Sequence, residues 1–184
     1  MKSQIFAISV LVVASIDAYL TSPVLNKKPQ AETSLAYVSS HIQDLSKVTV
    51  VPLRMSPAVA TLCAQAPMIV PPHEDKFFDI YVSPPQTSVL ETGVGHYPVG
   101  CVILKRKYSD SDGKQTELYT GMIKRIAGYN PSAGDWEFFV LSGDGQHVEQ
   151  SGQIQSCMSC HQGYAVSDYV TRDYFRSPGG YAGK

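Results

Sequence analysis

The chain contains no apolar run long enough to cross a bilayer as a helix. Its N-terminal apolar stretch, Ile5 to Ala14, falls short of the roughly 20 residues such a span needs. An excess of charge of one sign is also missing: 15 basic residues face 16 acidic ones, for a formal net charge of -1. That balance offers no basic face for nucleic acid and no polybasic segment for an anionic membrane surface. No internal repeat and no long low-complexity tract is present. Cysteine is sparse, with 4 in 184 residues: one close pair, Cys157 and Cys160, and two singles, Cys63 and Cys101. In an exported protein the singles can form a disulfide; two buried thiols are the alternative. Apolar residues, at 43% of the chain, are plentiful enough for a packed core.

The first residues, Met1-Lys2-Ser3-Gln4, supply a basic start before the apolar stretch, and small residues follow it. This pattern predicts a secretory signal peptide over residues 1–18, cut after Ser15 or Ala18. An uncleaved anchor or a buried first helix is the alternative. The protein is thus expected to be exported, and periplasmic if the host is bacterial. Residues 19–34 read as a flexible arm, 35–176 as one domain, and 177–184 as a Gly-rich flexible tail.

Within the domain, Leu35, Val38, Ile42 and Leu45 recur at helical spacing and predict a helix over 35–47. Five prolines between residues 48 and 75 argue against a long element there, leaving short turns, including one around Ala58 to Ala64. Four strands follow, over Phe77–Val82, Val99–Lys105, Leu118–Ile126 and Trp136–Leu141, separated by turn-forming runs such as Ser109-Asp110-Ser111-Asp112-Gly113. A helix is expected over Tyr164–Phe175. Successive strands with polar turns predict an antiparallel meander. The fold class is α+β, mainly antiparallel sheet with a few flanking helices.

The chemistry lies in Cys157-Met158-Ser159-Cys160-His161, a C-x-x-C-H sequence. This is the attachment signature of haem c. Two thiols at this spacing can add to the two vinyl groups on one porphyrin edge, and the next residue offers its imidazole to the iron. His161 is therefore the predicted metal ligand of one covalent haem. A zinc site would want a second ligand pair, which Cys63 and Cys101 do not form. A thioredoxin-like pair is expected in an α/β fold rather than behind a run of strands.

Neither Met nor His follows His161. A sixth ligand must come from Met55, Met68, Met122, His41, His73, His96 or His147, each more commonly a surface or packing residue. An open axial site is the expectation. Such a site binds small ligands rather than only passing electrons.

Several segments, in order, resemble the cytochrome P460 family. Tyr97-Pro98-Val99-Gly100-Cys101-Val102-Ile103-Leu104-Lys105 is similar to its lysine-bearing strand. Gly121-Met122-Ile123-Lys124-Arg125, then Gly128-Tyr129-Asn130, resembles the next strand and turn. Gly134-Asp135-Trp136-Glu137 resembles its G-D-W-E element, and Asp168-Tyr169-Val170 the segment behind the haem motif. The resemblance implies a cytochrome P460-like sheet, a homodimer and a five-coordinate haem. In the enzymatic members a lysine is joined to the porphyrin rim and hydroxylamine is oxidised, with electrons leaving to a partner cytochrome. The sister group, the β-type cytochromes c′, lacks the link and binds a diatomic gas such as nitric oxide. Lys105 matches the linking lysine, with Lys107 second. Retention of that lysine favours the enzyme over the gas trap and over a simple electron carrier. Strand alternation would put Cys101, Ile103, Lys105 and Lys107 on one face. Glu137 is the candidate general base for a bound nitrogen substrate; pairing with Lys124 or Arg125 is the alternative. His96 and Tyr97 are further pocket candidates, with surface placement the alternative.

Overall fold

The structure, a computed structural model, describes residues 33–55 and 76–172, apart from Pro85 and Val94. The predicted leader, most of the arm, the turn around Ala58 to Ala64, Cys63 and the tail lie outside the described residues. Helix α1 (Leu35–Ser40) is capped by Ser34, whose hydroxyl accepts the Tyr37 N–H at 3.1 Å. It is shorter than its apolar spacing suggests. After His41 the chain tightens into a 3-10 turn (Ile42–Asp44) and then enters strand β1 (Ser46–Lys47). There Ser46 and Lys47 pair with Val82 and Tyr81, so sheet hydrogen bonding overrides helical periodicity. The apolar stripe is still used: Val38 is buried, with Leu35, Ile42 and Leu45 packed beside it.

Strand β2 (Leu53–Met55) pairs with the same edge of β3 (Lys76–Val82) as β1 does. From β3 the chain runs as a meander through β4 (Val102–Tyr108), β5 (Thr116–Lys124), β6 (Trp136–Ser142) and β7 (Val148–Gly152). All neighbours are antiparallel, in the order β1-β3-β4-β5-β6-β7. This is the predicted α+β class. Two helices were not anticipated in their final form. Helix α2 (Thr87–Thr92) links β3 to β4, and helix α3 (Gln155–His161) carries the haem motif.

The second predicted strand is displaced toward the C-terminus. A turn at Pro98–Cys101, with Gly100 at φ 85, delays its start, and partners on β5 extend it through the charged residues. Arg106 reaches Thr116 at 2.7 Å and Lys107 reaches Glu117 at 3.0 Å. The third strand likewise sits two residues early. Behind His161 the expected helix is only a 3-10 segment, Gln162–Ser167, because Asp168 and Tyr169 both take left-handed conformations that a helix cannot continue.

Both sheet faces are covered. One carries Ile103, Met122, Trp136, Phe138 and Val140 of the main core; the other carries Val102, Leu104, Ile123, Phe139 and Leu141 against α1. Alternation along β4 follows the predicted pattern, with Cys101 and Ile103 in the main core.

Candidate functional site

Helix α3 is seven residues long, too short to persist without tertiary support. Its support comes from Ile154, buried just before it, and from Cys157 and Met158 packed on the main core. On a helix, positions 157, 160 and 161 fall on one face at i, i+3 and i+4. That face lines a cleft whose opposite wall is the sheet: Cys157, Cys160 and His161 on one side, Ile103, Lys105, Met122, Phe138 and Val140 on the other. The cleft encloses about 1140 Å³, part of it open to solvent.

The wall follows from register. Lys105 pairs with Thr120, Thr120 with Val140, and Val140 with Gln150, forming one cross-strand row. Ile103, Met122 and Phe138 form the row beside it. The Phe138 ring lies 5.2 Å from the His161 ring, tilted by 52°. The Lys105 Nζ lies over the Phe78 ring, 4.9 Å from its centroid.

The His161 imidazole is held in a specific tautomer. Its Nδ1–H donates to the Tyr169 carbonyl at 2.7 Å, which leaves the Nε2 lone pair for a metal. Burial pushes the imidazole below its ordinary pKa; the Tyr169 carbonyl opposes that and the Lys105 charge reinforces it. The unprotonated ligand form is therefore favoured. Cys157 and Cys160 are thiols rather than a disulfide, and both face the cleft.

The family model for cytochrome P460 matches residues 61–172. The chain belongs to the cytochrome P460 family. No curated protein matches it. A P460 family member is a haem-type cytochrome, and the residues present fit that group. A nitrogen ligand with its second nitrogen tied back, two thiols on the same helix face and an apolar opposite wall are what a ligated porphyrin requires.

The structure brings together Cys157, Cys160, His161 and Lys105, and leaves Glu137 out. Glu137 does not line the cleft. It is buried on β6, with its carboxylate accepting from the Arg125 guanidinium at 2.5 Å, and it pairs across the strands with Ile123. Alternation explains the miss: the cleft side of β6 takes Phe138 and Val140, so position 137 must face away. The general-base expectation is thereby corrected to the structural ion pair. Lys107 shares a face with Lys105 but is wholly buried against Glu117 and does not reach the cleft. His96 is exposed, whereas Tyr97 is buried edge-on against Trp136, with ring centroids 5.5 Å apart; neither lines the cleft. Among the possible sixth ligands, Met122 lines the cleft, Met55, His41, His96 and His147 do not, and Met68 and His73 lie outside the described residues. Cys101 is a buried free thiol. The contributions of Thr120, Gln150 and the Tyr169 carbonyl were not anticipated. The first two depend on register, and the third is a backbone atom with no sequence signature.

Proposed function

We propose that this P460 family member carries one covalent haem c on Cys157 and Cys160, with His161 as proximal ligand and the other axial position open. We further propose that it is exported and that it oxidises hydroxylamine or a related small nitrogen compound, passing electrons to a partner cytochrome. The observation that carries the enzymatic reading is Lys105. It shares the cleft with His161, and its charge is felt at the imidazole. When bound, the haem supplies an iron that can hold and oxidise a small nitrogen ligand.

The chain's own residues supply the rest. Cys157 and Cys160 anchor the group to α3, and the Tyr169 carbonyl fixes the ligating nitrogen of His161. Ile103, Phe138 and Val140 keep water from the sheet side, and Lys105 provides an amine within the cleft. Met122 belongs to the main core and is read as packing rather than as a sixth ligand.

One observation favours a second reading, a gas-binding protein like the β-type cytochromes c′. Among the described residues lining the cleft there is no carboxylate to take protons from a substrate. Mass spectrometry of haem-bearing peptides from protein matured with a c-type assembly system separates the two. A cross-link between the Cys157–Cys160 peptide and the Lys105 peptide, lost in Lys105→Ala together with hydroxylamine turnover, sustains the enzyme. Haem on the cysteines alone, with no turnover and tight nitric oxide binding, sustains the gas trap. Haem that extracts into acidified solvent refutes covalent attachment altogether.

A further inference from the structure

Two of the segments that resemble the family, Gly134-Asp135-Trp136-Glu137 and Asp168-Tyr169-Val170, meet directly behind His161. Asp168 and Tyr169 are consecutive non-glycine residues with φ of 55° and 62°. Such conformations are disfavoured for side-chain-bearing residues and persist only where the surroundings impose them.

The surroundings do so at four points. The Asp168 Oδ2 accepts the backbone N–H of Tyr97 at 3.1 Å. Its Oδ1 accepts from Lys124 Nζ at 2.5 Å. Its carbonyl accepts the indole N–H of Trp136 at 2.7 Å, and Trp136 is fully buried. Finally, the Tyr169 ring lies over Gly134, close enough that a Cβ there would come within 2.5 Å of the ring. Lys124 ties the network to the β5–β6 turn by donating to the Gly134 carbonyl at 2.7 Å, with its ammonium 4.9 Å from the Trp136 ring centroid. His96 approaches the same carboxylate at 3.9 Å from the solvent side.

The product of this bracketing is one carbonyl, that of Tyr169, aimed at His161 Nδ1. We propose that Asp168 is a positioning residue for the proximal ligand: with Lys124 and Trp136 it fixes the left-handed turn whose carbonyl orients and polarises the His161 imidazole. This rests on the reading of His161 as the haem ligand. The turn stands outside the cleft and touches neither substrate nor iron. Its action is through the strength of the Nδ1–H hydrogen bond, which sets how strongly Nε2 donates.

The test is resonance Raman spectroscopy and redox titration of the haem-loaded full chain, comparing wild type with Asp168→Asn and Trp136→Phe. The expected result is a downward shift of the ferrous iron–histidine stretching band and an upward shift of the reduction potential in both variants. A weaker Nδ1–H bond makes the imidazole a poorer donor to ferric iron. Lys124→Met, similar in length to lysine and only partly buried, reads the same two quantities should either variant fail to fold. A band and a potential that match wild type in variants that load haem overturn the proposal, whatever their melting temperatures. His161→Ala separates this failure from that of the underlying assignment. Loss of the band in His161→Ala keeps the ligand reading intact, while a band that survives it overturns both.

Discussion

The reassignment of Glu137 from substrate base to structural ion pair makes a quantitative prediction. The side chains of Arg125 and Glu137 are only 9% and 11% exposed. Removing one member of such a pair strands a desolvated charge and typically costs about 3–5 kcal/mol. The guanidinium also donates to the Thr33 carbonyl at 2.5 Å, so Arg125 would not be left unpaired. Glu137→Ala should therefore fall at the lower end, about 3 kcal/mol. For a domain of this size that is a drop of about 6–12 °C in melting temperature. The double variant Arg125→Met/Glu137→Leu removes both charges and keeps most of the volume, and should recover most of the loss. Urea unfolding of the haem-loaded protein at pH 7, followed by circular dichroism, measures all three. The haem absorption spectrum and the affinity for nitric oxide should stay at wild-type values throughout. The reasoning fails if Glu137→Ala leaves stability within about 0.5 kcal/mol of wild type, or if ligand chemistry at the iron collapses while stability holds.

Three further outcomes follow from other sites. Burial alone would raise the Glu117 pKa, but hydrogen bonds and charges from Lys76 and Lys107 overcome it and hold the carboxyl below its ordinary range. Its stabilisation is thus complete above the unfolded value of about 4.3 and disappears as pH falls through the lower folded value; Glu117→Gln should flatten the acid limb of a stability–pH profile below that point, and an unchanged limb would count against the cluster. Burial, opposed by Lys124 and aided by Asp168, pushes the Cys101 thiol up to about 12, so at pH 8 about one molecule in ten thousand holds the thiolate; Cys101 should resist alkylation in native protein and react only on unfolding. Gly134→Ala meets both a positive φ of 61° and the Tyr169 ring; it should destabilise by at least about 1 kcal/mol, and denaturant melts showing no loss would mean that the ring yields freely.

The meander was legible because β-branched and aromatic runs alternate with Asn, Asp, Gly and Pro turns, and period-two patterning is a local signal. The C-x-x-C-H segment was legible as a motif but not as an element, since its helix, Gln155–His161, rests on the packing of Ile154, Cys157 and Met158 rather than on a local pattern. Strand β7 was missed for a related reason. Val148-Glu149-Gln150-Ser151-Gly152 is exposed at its first four positions and has no apolar alternation to read. The bend after His161 was missed because Asp and Tyr in succession do not announce positive φ as Gly would. Lys105 was singled out through its family pattern, whereas its place in the cleft wall is a consequence of register with Thr120.

Strand β7 also bears on how the protein behaves in concentrated solution. It forms one edge of the sheet, so its outer backbone groups have no neighbouring strand among the described residues. Such an edge is a template on which another chain can add by backbone pairing. Here the hazard is blunted. The strand is short, carries Glu149 among polar neighbours, and meets β6 with a register break between Val140 and Leu141. These features disfavour stacking of one sheet on the next. The polar sequence that hid β7 from pattern reading is thus its protection against aggregation, and valines at positions 149 and 151 would be expected to turn a discreet sheet margin into an adhesive one.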